Sequence, residues 1–166
     1  WIYEIVDPTR PGVRQIGLGG MVNTAEIRTN ETPEGSIIRN EGIREKKAMG
    51  RARLIHATQS YIGVVNNTFV DPDGSVSAGL EGLADSREPD FESLDEKGYG
   101  HRSWMVTDPD QVAQLQRLMS NIPCAYVADG NHRSAAAAHL KRESFLTVLF
   151  PSDRMGLAPY NRLVRE

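Results

Sequence analysis

The sequence predicts a single domain of mixed α/β type, and three observations support this fold class. The chain has 166 residues, which is enough for one domain with a hydrophobic core. Apolar runs rich in β-formers alternate with stretches of helical pattern, and no internal repeat is visible. In residues 124–140, an apolar strand, a glycine turn and an alanine-rich helix follow one another directly. We expect the domain to be organised around this last unit.

The N-terminal part of the chain predicts a β-hairpin followed by a loop. Residues 1–6 alternate and are rich in β-formers, and residues 13–22 form a second strand-like run that three glycines weaken. These glycines do not form a dinucleotide-binding fingerprint, because no strand–turn–helix order surrounds them. Residues 24–36 are polar and rich in turn-formers, which predicts a loop or a frayed helix.

The middle of the chain predicts a long helix, a strand and an insertion. Residues 41–60 form the longest stretch of helical pattern, and residues 61–70 form a β-rich run. Residues 75–99 are acidic and contain few apolar side chains. Because such a segment buries too little apolar surface to offset the entropy lost on ordering, we expect a poorly structured, mobile insertion.

The last third predicts two strands and a capped helix in addition to the central unit. Residues 101–107 form a strand-like run. Asp108 is the expected N-cap of the helix that follows, and Pro109 suits its first position. Residues 145–150 are strongly apolar and predict a final strand.

Composition narrows the classes of function. The formal net charge is −3, which argues against a non-specific nucleic-acid binder, although basic residues cluster between positions 39 and 53. Cys124 is the single cysteine, so we expect a small buried side chain rather than a disulfide or a metal pair. No apolar run approaches membrane-spanning length and no signal peptide is visible, so a cytoplasmic protein is the expectation. Since the chain begins without methionine, we expect a fragment of a longer protein; its oligomeric state stays open.

The turn within the central unit, residues 129–133, carries an unusual density of polar groups. Its sequence is Asp-Gly-Asn-His-Arg, and Ser134 then opens the alanine run. A strand that enters a helix through a tight glycine turn leaves backbone N–H groups unpaired at the helix start, which together with the helix dipole attract anions. Arg133 adds a planar cation suited to phosphate, and His132 adds a titratable donor. A glycine turn needs no ligand, so the spacing alone leaves a purely structural turn equally open.

The same residues resemble a known family. Residues 129–133, followed by small side chains, are similar to the Asp-Gly-His-His-Arg turn of the family catalogued as domain of unknown function 1015. The resemblance extends over nearly the whole chain, and family members are longer at both ends. It also includes residues 1–6, 38–41, 101–106 and 159–162. More distantly, the turn is similar to the Gly-x-x-Arg turn of ParB-type partition proteins, sulfiredoxins and free-serine kinases, where it holds nucleotide phosphates. The resemblance therefore implies a ParB/sulfiredoxin-like core and a nucleotide ligand.

Glu41 is the second candidate feature, at the start of the predicted long helix. By residue type alone, a carboxylate in a first helical turn is more often an ordinary match to the helix dipole. The distant relatives place an acid in a comparable helix beside the phosphate turn, which implies that Glu41 holds Mg²⁺ or accepts a proton from a substrate hydroxyl. Arg44 and Arg51 are seven positions apart, so they lie near one helix face and are expected to reach the same anion.

The sequence departs from the family pattern at three positions. Asn40 and Asn131 stand where the family has histidine, and Ile43 replaces a threonine. Asparagine can donate to phosphate but cannot shuttle a proton, so binding is better supported than catalysis. Sulfiredoxin chemistry is not expected, because it requires a reactive cysteine at the position of Asn131.

These observations define one predicted site. The predicted catalytic residues are Glu41 and His132, and Glu41 is also the predicted Mg²⁺ ligand. The predicted ligand contacts are Asp129, Gly130, Asn131, His132, Arg133, Ser134, Arg44 and Arg51. We expect Glu41 and Arg133 to converge on one cleft, with His101 facing it, and the ligand to be a nucleotide such as ATP, ADP or CTP. Three functions stay open: a nucleotide-dependent phosphotransferase for a small hydroxyl compound, a nucleotide-binding regulatory module, and an interaction domain that has lost the ligand.

Overall fold

A computed structural model of the protein describes residues 1–156, which form eight strands and four α-helices. The closing residues 159–162 of the family resemblance lie outside this range. In chain order the elements are β1 (Ile2–Val6), β2 (Gln15–Asn23), β3 (Ile37–Arg39), α1 (Glu45–Thr58), β4 (Val65–Phe69), α2 (Ser75–Asp85), β5 (Phe91–Leu94), β6 (Gly100–Trp104), α3 (Pro109–Ser120), β7 (Ala125–Asp129), α4 (Asn131–His139) and β8 (Ser144–Pro151).

All eight strands belong to one sheet in the order β3-β7-β4-β8-β2-β1-β6-β5. The pairs β3–β7 and β4–β8 are parallel, whereas the other neighbouring strands are antiparallel. The sheet is therefore mixed, which confirms the predicted α/β class. Similarity of this core to ParB-type proteins stays a prediction.

The predicted N-terminal hairpin is confirmed, and its glycines have a packing role. Strand β2 runs unbroken for nine residues, of which Gln15 to Leu18 pair with β1. A Cβ on Gly19 would lie 2.0 Å from the indole of Trp1, and one on Gly17 would lie 2.7 Å from the carbonyl oxygen of Leu149. These two glycines therefore allow close approach of neighbouring groups within a continuous strand.

Residues 75–99 are structured, so the expectation of a poorly structured insertion is wrong. Most of the first half forms α2, in which Val76, Leu80 and Ala84 are buried in the main core. These three residues are spaced four apart and lie on one helix face, so their burial stabilises the helix despite the acidic average composition of the segment. The second half supplies β5, an exposed strand at the sheet edge that pairs with β6.

The prediction for α3 is confirmed, since the Asp108 carboxylate accepts hydrogen bonds from the N–H groups of Asp110 and Gln111, and Pro109 is the first helical residue.

Two other expectations need correction. The helix predicted over residues 41–60 begins only at Glu45. Cys124 is half-buried and precedes β7, instead of lying buried within it.

The packing of the helices fixes the position of the candidate site. α2 packs on α3, and α1 packs on α4 through a small cluster formed by Ala52, Ile55 and Ala136. Alanines at this contact let the two helices approach closely. The start of α1 is thereby held beside the junction of β7 and α4. No helix within residues 1–156 is long and apolar enough to cross a membrane.

Candidate functional site

The candidate site lies where β7 passes into α4. Gly130 connects the two elements with a φ of +104°, and α4 begins at the next residue. The predicted turn over residues 129–133 is therefore shorter than expected. Asn131, His132 and Arg133 belong to the first turn of the helix, so their side chains are placed by helical geometry.

Glycine is required at position 130 for two reasons. Its positive φ is unfavourable for residues with a Cβ. In addition, a Cβ there would lie 3.0 Å from Nε of Arg133 and 3.2 Å from Cα of Val65. The close approach lets the Arg133 side chain fold back over the turn.

A cleft of about 520 Å³ opens at this junction. Its lining comes from α1, from the loop before α1 and from the β7–α4 junction. The lining residues are Glu41, Lys47, Gly50, Arg51, Leu54, Asp129, Gly130, Asn131, His132 and Arg133. The structure thus confirms that Glu41 and Arg133 converge on one cleft, which we call the junction cleft; their functional roles stay predictions.

Glu41 does not lie in a helix, contrary to the sequence-based expectation. It belongs to the loop of residues 40–44, and Glu45 is the acidic residue in the first turn of α1. The carboxylate of Glu41 therefore does not belong to the first turn of α1, where it would interact with the helix dipole. Its Oε1 lies 3.4 Å from Nδ2 of Asn131, which also donates to Oδ1 of Asn40 at 2.7 Å.

The two asparagines that depart from the family pattern are thus in direct contact, although 91 positions separate them. Asn131 is only 5% exposed. Its Oδ1 is buried and has no hydrogen-bond partner among the residues that the structure describes. The amide of Asn131 therefore positions the loop of residues 40–44 and keeps one unused acceptor.

His132 forms a second connection between α4 and the same loop. Its Nε2 lies 3.2 Å from the backbone N of Arg44, the residue that precedes α1. Because a backbone N–H can only donate, Nε2 must be the acceptor and the neutral ring carries its proton on Nδ1. The imidazole thus helps to hold the start of α1 against α4.

Arg133 is held by the carboxylate of Asp129. Its Nη2 donates to Oδ2 of Asp129 at 2.6 Å, and its side chain is 26% exposed. The guanidinium also lies 3.6 Å from the position a Cβ would take on Gly63. Nε of Arg133 is buried and lacks a partner among the described residues. The guanidinium therefore reaches the junction cleft with its charge partly balanced by Asp129.

The remaining predicted residues are not all brought together. Arg51 lines the junction cleft, whereas Arg44 contributes its backbone N–H to His132 and does not line it. Ser134 is fully buried, and its hydroxyl donates to the carbonyl oxygen of Asn131. His101 does not face the cleft: it lies on β6 and bonds to the hydroxyl of Tyr3 at 2.7 Å. Ligand contacts by Arg44 and Ser134 stay predictions.

Sequence reasoning missed Lys47 as a lining residue. Lys47 and Arg51 are four apart in α1, so they lie on one helix face and point to the same cleft. The spacing was visible in the sequence, but the position of the helix start was not. The junction cleft therefore contains three basic side chains, from Lys47, Arg51 and Arg133, beside the carboxylates of Glu41 and Asp129.

A second cleft of about 620 Å³ shares Glu41 with the junction cleft. Ala135 and Ala138 of α4 and Ala48 of α1 contribute small side chains to its wall, and Arg28 and Arg39 contribute charge. Glu41 therefore stands between two openings.

Within residues 1–156, no group of three or more His, Cys, Asp or Glu side chains is arranged to hold a metal ion.

Comparison with known proteins identifies the family. No curated protein matches the chain. A family model does match, and it covers residues 1–166. The chain belongs to the family described as Protein of unknown function (DUF1015).

Proposed function

We propose that the protein binds a nucleotide or another phosphate-bearing ligand in the junction cleft and transfers a phosphoryl group to a small hydroxyl compound. One observation carries the proposal: the start of α4 opens into a cleft with three basic side chains and the carboxylate of Glu41. The distant similarity of the turn to nucleotide-binding turns points in the same direction.

The start of α4 supplies an anion site in this proposal. Asn131 and His132 are the first two residues of a nine-residue helix, so their N–H groups have no partner one turn earlier. No side chain in the described part of the chain caps this helix end. Phosphate oxygens accept from these N–H groups, and the positive end of the helix dipole favours their charge. The remaining negative charge of the phosphate is neutralised by the basic side chains of Lys47, Arg51 and Arg133.

Mg²⁺ is the metal ion proposed for Glu41. Magnesium sites that serve phosphate transfer often use one or two carboxylates together with phosphate oxygens and water, so the absence of a larger acidic cluster in residues 1–156 is compatible with it. The ion would screen the phosphate charges. The carboxylate of Glu41 and the amides of Asn40 and Asn131 offer the hard oxygen donors that such an ion prefers.

In the proposed reaction, the hydroxyl compound lies in the second cleft, beside Glu41. Its hydroxyl oxygen attacks the γ-phosphorus of a nucleoside triphosphate, the bond from this phosphorus to the bridging oxygen breaks, and the nucleoside diphosphate leaves. Glu41 accepts the hydroxyl proton. Arg133 stabilises the charge on the transferred group. Proton transfer by His132 would have to use Nδ1, since Nε2 accepts the N–H of Arg44.

Arg133→Ala tests the binding step. The variant loses a charge-assisted contact, so affinity for ATP, ADP or CTP should fall about tenfold to a hundredfold. Arg133→Lys should restore binding only in part, since an ammonium cannot reproduce the planar fork. Isothermal titration and thermal melts of both variants are compared with Arg53→Ala, which removes an exposed arginine of α1 outside the cleft. Unchanged affinity with a large fall in Tm would show that Arg133 only tethers the turn.

A regulatory module without turnover is the second candidate function. The observation that favours it is that the side chain in contact with Glu41 is the amide of Asn131, which also bonds to Asn40 and cannot shuttle a proton, while Nε2 of His132 accepts the N–H of Arg44. Transfer of the label from a γ-labelled nucleoside triphosphate to a panel of hydroxyl compounds would establish the enzyme. Binding without transfer supports the module, and no binding leaves an interaction domain.

A further inference from the structure

The lining of the junction cleft changes in chemical character along α1. Lys47, Arg51 and Leu54 follow one another at spacings of four and three residues, so all three lie on one helix face. The lining therefore passes from an ammonium group through a guanidinium group to an apolar side chain. The loop that carries Glu41 and the first turn of α4 meet the start of α1, at the charged end. The cleft thus has a charged end and an apolar end.

A shallow hollow continues the cleft at its apolar end. Arg51, Leu54 and Arg133 line both the hollow and the junction cleft, and the hollow adds Ile62 and Gly63 from the loop between α1 and β4. The side chain of Leu54 is 36% exposed and that of Ile62 is 51% exposed, although both are apolar. We call Leu54, Ile62 and Gly63 the apolar patch. It is an open surface that is continuous with the cleft.

The backbone of the apolar patch is available for hydrogen bonding. Within residues 1–156, no backbone–backbone hydrogen bond joins Ile62 or Gly63 to another residue. Gly63 is exposed, and a Cβ on it would lie 3.6 Å from Nη1 of Arg133. Because Nη2 of the same guanidinium bonds to Asp129, Arg133 extends from the β7–α4 junction to the apolar patch. The patch therefore lies next to the predicted phosphate site.

We propose that the apolar patch binds the base of the nucleotide, so that the ligand lies along α1 with its terminal phosphate towards Glu41. This inference rests on the proposed function and adds the orientation of the ligand and the contacts of its base. The faces of a base are apolar and aromatic, which suits the side chains of Leu54 and Ile62 and the guanidinium plane of Arg133. The edge of a base carries donors and acceptors, which suit the free backbone groups of Ile62 and Gly63.

The reverse orientation matches the lining poorly. It would place the phosphates against Leu54 and Ile62, where an anion loses its hydration without gaining a donor side chain. It would also place the base beside Lys47 and the carboxylate of Glu41, which offer no apolar surface. Only a ribose separates the base from the first phosphate, so the base has to lie close to the phosphate site, as the apolar patch does.

Titrations with ATP and with inorganic tripolyphosphate test the base contact, because both ligands carry three phosphates and only ATP carries a base. We expect ATP to bind about tenfold more tightly. Ile62→Ser should weaken ATP binding about fivefold, because it removes apolar contact, and should leave the affinity for tripolyphosphate unchanged. Val70→Ser is the matched control, because Val70 is 57% exposed and lines neither the cleft nor the hollow.

Lys47→Ala is the complementary variant at the charged end, and it should weaken the binding of both ligands by the same factor. Equal affinities of the wild type for ATP and tripolyphosphate would overturn the base contact and leave the phosphate site intact. Equal losses of both ligands in Ile62→Ser would do the same. If neither ligand binds to the wild type, the proposed function fails, and the orientation of the nucleotide fails with it.

Ile62→Trp separates a base contact from an indirect effect on folding. An indole adds stacking surface for a base, so the affinity for ATP should rise about threefold or more while that for tripolyphosphate stays unchanged. Stacking on the indole should also quench the fluorescence of bound etheno-ATP, an analogue with a fluorescent base. Val70→Trp places the same indole outside the cleft and should not quench it. Bound but unquenched etheno-ATP in Ile62→Trp would show that the base lies elsewhere and would contradict the proposal.

Discussion

Two helices of this domain both begin after a glycine, but their first N–H groups have different hydrogen-bond partners. α2 follows β4 through Gly74 with a φ of +69°, and α4 follows β7 through Gly130 with a φ of +104°. Both glycines occupy the capping position, where they offer no side chain. Each helix therefore depends on neighbouring residues to satisfy its first turn.

At α2, the chain supplies its own anions. The carboxylate of Asp71 accepts from the N–H groups of Val76 and Ser77, and that of Asp73 accepts from the N–H group of Ser75. At α4, the carboxylate in the corresponding region belongs to Asp129, and it bonds to Arg133 instead. A strand–glycine–helix pattern alone therefore does not define an anion site. The first N–H groups of a helix remain available to a ligand only where the nearby carboxylates are bonded to other groups.

The largest expected effect comes from Gly130, and Gly74 serves as its matched comparison. Gly130→Ala should lower the free energy of unfolding by about 2–3 kcal/mol, because a Cβ meets both an unfavourable φ and the close contacts with Arg133 and Val65. Gly74→Ala should cost about 1 kcal/mol, since no atom lies within 4 Å of the added Cβ. Urea denaturation of both variants measures the difference. Equal losses would mean that the turn at Gly130 relaxes freely and that its crowding has no role.

Asp71→Ala should have the next largest effect. The substitution removes the acceptor for two N–H groups of α2 and for the hydroxyl of Ser77, which should lower the free energy of unfolding by about 1–2 kcal/mol. The variant then resembles α4 in having an open helix start, so added sulfate should raise its Tm more than that of the wild type. A loss below about 0.5 kcal/mol, the range of a neutral surface substitution, would show that water replaces the carboxylate at no cost.

The smallest expected effect is on the pH dependence of stability. The N–H group of Ser75, followed by its hydroxyl, holds the pKa of Asp73 below its usual value. Because this pKa is lower in the folded state, the contribution of Asp73 is present above the unfolded pKa and is lost as the pH falls through the folded pKa. Asp73→Asn should therefore lose less stability than the wild type on acidification. Thermal melts from neutral to acidic pH measure this; parallel curves would indicate that the bond to Ser75 does not form in solution.

The same comparison shows what the sequence could predict. The strand–turn–helix unit, the hairpin and the Asp108 cap are local patterns, and the structure confirms them. The helix α2 was missed because the acidic average of residues 75–99 outweighed the spacing of Val76, Leu80 and Ala84, which decides the packing. Composition averages over a segment, whereas a helix needs only one apolar face.

The sequence predicted part of the lining of the candidate site, although it missed Lys47, and it did not predict the contacts. Glu41 and Arg133 were expected to converge, and they line one cleft. The bond between Asn40 and Asn131 was not expected, since it follows from the parallel pairing of β3 with β7, which joins residues far apart in the sequence. The tether between Arg133 and Asp129 depends on side-chain rotation within one helical turn, which residue types do not reveal.

The short strand β3 has a consequence for the dynamics of the cleft. It has only three residues, pairs with β7 on one side, is joined on the other side only by a bridge between Ile37 and Ile27, and leads directly into the loop that carries Glu41. Because so short a strand forms few ladder hydrogen bonds, we expect it to open locally and separate Glu41 from α4 while the rest of the sheet stays folded. Hydrogen exchange should accordingly be faster at the amides of β3 than at those of β8, which lies between β4 and β2. A ligand that bridges Glu41 and Arg133 would slow the exchange at β3, because it binds only the closed form.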